Sequence, residues 1–180
     1  MLERNNFINR IFYLYNFRLI MSIMFLIMAL LLNSCSKEAE FYYVDGREGQ
    51  LSDFNGQWLL INYWAEWCKP CLEEVPELNE FYSQYASEYS MLAVSFDIIA
   101  SEALLEQKNK YDMQYPLLAS IPTPRLGIDM PAALPANYIR SPEGKIFGPL
   151  LGPQTLETLL KALSKAKKAK AKKAKAKNTH

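Results

Sequence analysis

Histidine is almost absent from this 180-residue chain, which holds one, the terminal His180. Cysteine is scarce too: there are three, and only Cys68 and Cys71 are spaced as CxxC. A zinc site on that pair would need a second CxxC or two histidines, and the sequence has neither. Long apolar runs are missing as well. The longest, Leu19 to Leu32, spans 14 residues, whereas a membrane-crossing helix needs about 20. No internal repeat is visible. Net charge is only +1, but it averages three unlike stretches. Residues 36–164 carry 9 Lys and Arg against 18 Asp and Glu, the first 35 residues have a net charge of +2, and the stretch from Lys165 has +8. The body is therefore acidic and the tail alone is basic. The length allows one domain plus appendages, and a hydrophobic share of 50% is enough for a core.

The short apolar run is informative at its ends. Arg4, Arg10 and Arg18 precede it, and Leu32-Asn33-Ser34-Cys35 closes it. A positive flank followed by a run of this length reads as a signal-peptide h-region. Its end resembles a bacterial lipobox, in which the Cys is acylated and the chain is cut just before it. Asn33 departs from the small residue usual at its place. The expected organisation is a signal peptide over 1–34 and a lipidated tether over 35–40, with Cys35 as the lipid attachment site. The alternative is an uncleaved anchor helix with an incidental Cys35. Both put the body outside the bacterial cytoplasm, on the periplasmic side of the membrane. With Cys35 lipidated, Cys68 and Cys71 remain as one pair.

Along the body, Phe41 to Val44 reads as a short strand and Asp45-Gly46 as a turn. Trp58 to Tyr63 and Met91 to Phe96 are near-continuous apolar runs, as in strands buried on both faces. Between them a helix is expected from about Pro70 to Tyr85, with Leu72, Val75, Leu78, Tyr82 and Tyr85 on its buried side and a kink at Pro76. A second helix is expected over Ser101–Tyr111, capped by Ser101. Tyr115 to Pro135 is rich in Pro and Gly and reads mostly as loop. Ala136–Arg140 and Lys145–Gly148 form a hairpin about Ser141-Pro142-Glu143-Gly144. A last helix starts near Pro153 or Gln154. The order predicts an α/β fold, with parallel strands joined by crossovers and a terminal antiparallel hairpin.

Cys68 and Cys71 straddle the start of the helix that follows the first buried strand. The first N–H groups of a helix lack intrahelical partners and the helix dipole is positive there, so a thiolate at Cys68 is stabilised below the ordinary pKa of about 8.5. Three residues on, Cys71 lies close enough to close a disulfide. Pro70 suits the first turn. A purely structural bridge is the weaker reading, because so short a loop constrains the unfolded chain little.

The segment Asn62-Tyr63-Trp64-Ala65-Glu66-Trp67-Cys68-Lys69-Pro70-Cys71 resembles the active site of thioredoxins. With Leu72-Glu73-Glu74-Val75-Pro76 added, it is similar to the TlpA/ResA-type family of extracytoplasmic thiol–disulfide oxidoreductases, over about Phe41 to Leu163. The resemblance implies a thioredoxin fold over 41–164, a central mixed sheet flanked by helices and ending in the hairpin and a C-terminal helix. It implies that Cys68 attacks a client disulfide and Cys71 resolves the mixed disulfide, with no cofactor beyond this pair. Leu134-Pro135-Ala136 matches the family's cis-proline element, in preference to Pro122, Pro124 or Pro131. Trp67, Leu134 and Pro135 are then expected to contact the client. Glu74 matches a carboxylate that tunes the cysteines; alternatively it is an ordinary first-turn Glu favoured by the helix dipole. Asn62 stands where thioredoxins carry a buried Asp, which passes that proton-accepting role to Glu74 or to water. Lys69 should favour thiolate and shift the pair towards the oxidising side.

The expected partners are disulfide-bearing envelope proteins, with a DsbD/CcdA-type membrane protein as electron donor and service to cytochrome c maturation as the family precedent. A monomer is expected, with no nucleic-acid partner. Alternatives are a disulfide-forming oxidant in the same compartment, or an adaptor lipoprotein that uses the fold only to bind. A peroxidase is disfavoured, since no peroxiredoxin-like motif surrounds either cysteine. The Lys/Ala tail over 165–180 favours helix and carries no apolar stripe, so it is expected to stay solvated, or to bind anionic surfaces electrostatically.

Overall fold

A computed structural model describes residues 17–24 and 38–177. Cys35 and most of the expected signal segment lie outside the described residues, as does His180. Residues 17–24 are helical and belong to a first unit, Met1–Glu38, distinct from a second, Ala39–His180. Among the described residues no helix is long and apolar enough to cross a membrane.

The second unit opens with a small hairpin, β1 (Phe41–Tyr42) against β2 (Glu48–Gly49), rather than the lone strand expected at Phe41–Val44. The Phe41 ring covers Gly49 so closely that a Cβ there would fall 2.1 Å from it. A four-stranded sheet follows in the order β4-β3-β5-β6, where β3 is Trp58–Trp64, β4 Tyr89–Ser95, β5 Ala136–Arg140 and β6 Ile146–Leu151. β3 runs parallel to β4 and antiparallel to β5, and β5 and β6 form the terminal antiparallel hairpin. The helices are α1 (Lys69–Tyr85), α2 (Ser101–Lys110) and α3 (Leu156–Lys177). This is the mixed α/β architecture expected from the element order.

Side chains alternate across the sheet as strand geometry requires. Leu60, Met91 and Ile139 face α1 and α3, while Leu59, Ile61, Leu92 and Tyr138 face Phe41, Leu118 and Leu126 on the other side. Both faces are covered, which explains the near-continuous apolar runs of β3 and β4. The loop from Tyr115 to Pro135 is mostly irregular, but Leu117 bridges in parallel to Ala93 and Leu118 bridges to Tyr43.

Several boundaries differ from expectation for physical reasons. The helix α1 continues through Pro76, and its buried face is Cys71, Glu74, Val75, Leu78 and Phe81. Leu72, Tyr82 and Tyr85 are only partly buried. An apolar stripe read from hydropathy skips Glu74, whose carboxylate is satisfied inside the core. At α2, Ala100 occupies the cap position and no side chain caps it, so Ser101 is not the cap. The Ser120 hydroxyl instead accepts from Ile99 N–H and donates to Ile99 C=O, fixing the chain as it enters the helix. β6 runs past Gly148 because a register shift lies between Asn137 and Ile139, after which the ladder resumes at Leu150 and Leu151.

The tail also differs. The helix α3 carries the Lys/Ala sequence on without a break, and Ala166 is 4% exposed within the core beneath it. Lys167 Nζ donates to Tyr89 Oη at 2.5 Å and lies over that ring, and Lys170 Nζ pairs with Glu143. The expectation that the tail stays unpacked is therefore wrong for its first turns. Alanines at helical spacing let the helix approach the sheet closely, and the Lys167 and Lys170 ammonium groups lie over the Tyr89 and Trp58 rings.

Candidate active site

The site is assembled where β3 ends. Its last residues pass through Ala65–Trp67 into α1, with Cys68 N–H donating to Ala65 C=O at 3.1 Å and Cys68 at the cap position of the helix. Pro70 sits in the first turn, as expected. Cys68 and Cys71 are joined as a disulfide with their Cα atoms 5.2 Å apart, and both are buried. The Cys68 carbonyl accepts the N–H groups of Cys71 and Leu72 at 2.9 and 3.2 Å, so the helix starts at the cysteine itself. The positive end of the helix dipole thus lies at Cys68, where a thiolate would form. Lys69 is exposed and stands 3.7 Å from Glu73, which screens the charge expected to favour thiolate.

Beside the buried pair, Trp67 is 65% exposed. Its ring stands edge-on against Phe96 at 6.1 Å, and its Nε1–H donates to the Asp97 carboxylate at 3.0 and 3.2 Å. Behind it, Glu66 accepts from Gln107 Nε2, Lys110 Nζ and Tyr111 Oη at 2.8, 2.9 and 3.0 Å. The Lys110 ammonium, with Tyr111 and Gln107, holds the Glu66 carboxyl below its usual range. These bonds tie the active-site turn to α2, an attachment that the motif did not reveal.

Pro135 is buried, and the Leu134–Pro135 peptide is cis. Ala136 pairs with Tyr63 in the β3–β5 ladder, so Pro135 lies at the end of β3 from which the CxxC turn leaves. Two other X–Pro bonds are cis, Ile121–Pro122 and Gly148–Pro149. Position against the strand end, rather than isomer, distinguishes Pro135.

Glu74 is 1% exposed. Its Oε2 accepts from Asn62 Nδ2 at 3.2 Å; its Oε1 accepts from Asn137 Nδ2 at 2.7 Å and from Gln154 N–H at 2.9 Å. Burial pushes its carboxyl up to about 7, against the pull of those three donors. Tyr115 shares this interior, and its hydroxyl titrates well above its ordinary value because it is buried and Glu74 lies nearby. Among the described residues, Trp64 Nε1 and Tyr115 Oη find no hydrogen-bond partner. Asn137 and Gln154 escaped the sequence reading. The available signal was an Asn in the middle of a strand expected to be buried. Among the described residues no group of three or more His, Cys, Asp or Glu is placed to hold a metal.

Thiol–disulfide exchange is the chemistry this arrangement supports, and the protein is an oxidoreductase of the thioredoxin fold that works through its CxxC disulfide on disulfide-containing proteins. The chain belongs to the AhpC/TSA family, whose pattern matches residues 35–147, and within it to the ResA-type thiol–disulfide oxidoreductases. It is 33% identical to a thiol-disulfide oxidoreductase ResA of Bacillus cereus over 135 residues, 72% of this chain and 76% of that protein. Among solved structures, a thiol-disulfide oxidoreductase from Bacteroides fragilis NCTC 9343 superposes with a TM-score of 0.54 at 26% identity, covering 70% of this chain and 94% of that one. StoA from Bacillus subtilis gives 0.58 at 17% identity, over 68% and 93% of the two chains.

Proposed function

We propose that the protein is a lipid-anchored disulfide reductase of the bacterial envelope. Cys68 Sγ, as thiolate, attacks one sulfur of a client disulfide; that bond breaks, the other client sulfur leaves as thiolate, and a mixed disulfide forms. Cys71 then passes its proton to the Glu74 carboxylate and attacks Cys68 Sγ, expelling the second client thiolate. The client gains two electrons and its two thiolates take up protons from water, Glu74 gives its proton back to solvent, and the pair is left as the Cys68–Cys71 disulfide. A DsbD/CcdA-type membrane donor returns the electrons. Trp67, Leu134 and Pro135 line the approach of the client chain.

The observation that carries this reading is Glu74, a carboxyl buried one helical turn beyond Cys71 and poised near pH 7. A general base is most effective when its pKa lies near the working pH. Attachment through Cys35 rests on the lipobox-like Leu32-Asn33-Ser34-Cys35 after a positively flanked apolar run.

The reduction potential of the pair tests the direction. A value near about −270 mV, as in thioredoxin, supports a reductase, and one near about −120 mV, as in DsbA, overturns it in favour of an oxidant. A Cys71→Ser variant should hold clients as mixed disulfides. A cellular role that survives Cys68→Ser would leave only the adaptor reading. Incorporation of labelled fatty acid into the wild type but not into Cys35→Ala tests the anchor.

A further inference from the structure

The strand that begins at the client-binding proline carries a fully buried amide. Asn137 is 0% exposed and sits directly opposite Asn62 in the β3–β5 ladder, so the two side chains emerge side by side on the face covered by α1. A buried amide is costly unless its hydrogen bonds are made. Here they close a circuit. Asn62 Nδ2 donates to Asn137 Oδ1 at 3.1 Å and to Glu74 Oε2 at 3.2 Å, while Asn137 Nδ2 donates to Glu74 Oε1 at 2.7 Å. Because Asn137 Oδ1 already takes the Asn62 donor, only its NH2 group can face the carboxylate.

The two oxygens of Glu74 are thereby made unequal. Oε1 accepts two short bonds, from Asn137 and from Gln154 N–H, whereas Oε2 accepts one long bond from Asn62. A proton settles on the oxygen with more lone-pair capacity left, and an O–H on Oε2 leaves both donors to Oε1 in place. We propose that Asn137 is a positioning residue for the exchange reaction: it clamps Glu74 through Oε1, reserves Oε2 for the proton exchanged with Cys71, and ties the carboxylate to the client-binding segment. The tie is short in sequence, because Asn137 lies two residues beyond Pro135. It is doubled through the neighbouring loop: Gly152 N–H donates to Pro135 C=O, and Gln154 bonds both Gly152 C=O and Glu74.

Among the described residues, the groups that face Glu74 are the neutral Asn62 on β3, the neutral Asn137 on β5, the Gln154 N–H before α3 and the Tyr115 phenol, and Cys71 shares the buried side of its helix. None of these is a cation or a second carboxylate, so the donors are what hold the anion.

This inference rests on the reading of Glu74 as the proton carrier, and the test separates the two. The full chain, reduced, is assayed for insulin disulfide reduction across pH, with thermal unfolding measured alongside. In Asn137→Leu, which keeps the bulk and loses the donor, the titration near pH 7 should move up by about one pH unit, the worth of one hydrogen bond to a charged group. In Asn137→Asp, which keeps the shape, it should move up as well, because a second carboxyl faces the first. In Glu74→Gln the titration should vanish, and adding Asn137→Leu should then change nothing further in the profile. Asn137 variants that melt earlier yet keep the wild-type profile would overturn the positioning role while leaving Glu74 its own. An unchanged profile in Glu74→Gln would remove the proton-carrier reading and this inference with it.

Discussion

Asn62 Nδ2 stands 3.2 Å from Glu74 Oε2, so an amide on the central strand serves a carboxylate on the helix that carries the cysteines. In the thioredoxins this segment resembles, the acid sits on the strand. The acid here has moved across the interior to α1, and the strand keeps a neutral donor. Ionised Glu74 is therefore met, among the described residues, by three N–H groups and no opposing charge.

Restoring the strand acid should be damaging. Asn62→Asp would set two carboxyls about 3 Å apart in a buried site, where one must stay protonated. Its unfolding free energy should match that of the wild type within about 1 kcal/mol at pH 5 and fall below it by about 2–4 kcal/mol at pH 8. Urea unfolding at the two pH values checks this, and equal losses at both would contradict it.

Glu74 itself should make stability depend on pH. Its folded pKa of about 7 lies above the ordinary 4.5, so the folded state holds a proton that the unfolded chain has released. Stability should fall as pH rises from about 4.5 to about 7 and level off above, a total of about 3 kcal/mol. Glu74→Gln should flatten that slope in the oxidised protein, measured by denaturant unfolding across the same range.

Trp67 is exposed, so Trp67→Ala should change stability by less than about 1 kcal/mol. Turnover of a protein client should fall by about tenfold, while reaction with a small-molecule disulfide stays within about twofold, since only the larger partner uses the ring. Equal losses towards both would count against a client contact.

Gly148 supports the site from beneath. Its φ is +122°, and a Cβ there would lie 2.9 Å from the Asn137 backbone oxygen. Gly148→Ala should therefore cost about 1–3 kcal/mol, and because the clash falls on Asn137 it should also lower client turnover. Thermal melting with a parallel activity assay tests both.

The packed part of the tail gives a pair of truncations. Ending the chain after Ser164 removes Ala166 from the core and Lys167 from the Tyr89 ring, and should cost about 1–3 kcal/mol. Ending it after Lys172 keeps these contacts and should lie within about 0.5 kcal/mol of the full chain. Differential scanning calorimetry of the two chains decides whether the boundary falls within 165–172.

Local pattern carried far in this chain. The strands β3 and β4 announce themselves as apolar runs because both faces of the sheet are covered, and the CxxC at a helix start states its chemistry through the positive end of the dipole it adjoins. Pro135 differs from Pro122, Pro124 and Pro131 in the sequence by directly preceding a strand, and the structure keeps it there. The misses share one cause, which is that they depend on partners distant in sequence. The start of α2 is set by Ser120, the buried face of α1 includes a Glu satisfied from β3 and β5, and the tail packs through alanines that hydropathy counts as neutral.

The sequence by itself determined the CxxC pair, its place at a helix N-terminus and the succession of elements around it, because each follows from neighbours within a few residues. Only the tertiary structure decided what Glu74 is. The same carboxylate on an open first turn would be an ordinary helix-dipole partner; enclosed by Asn62, Asn137 and Gln154 it is a buried acid poised near neutrality. Its pKa is set by the loss of water and by donors that lie 12, 63 and 80 residues away along the chain, and folding alone brings them together.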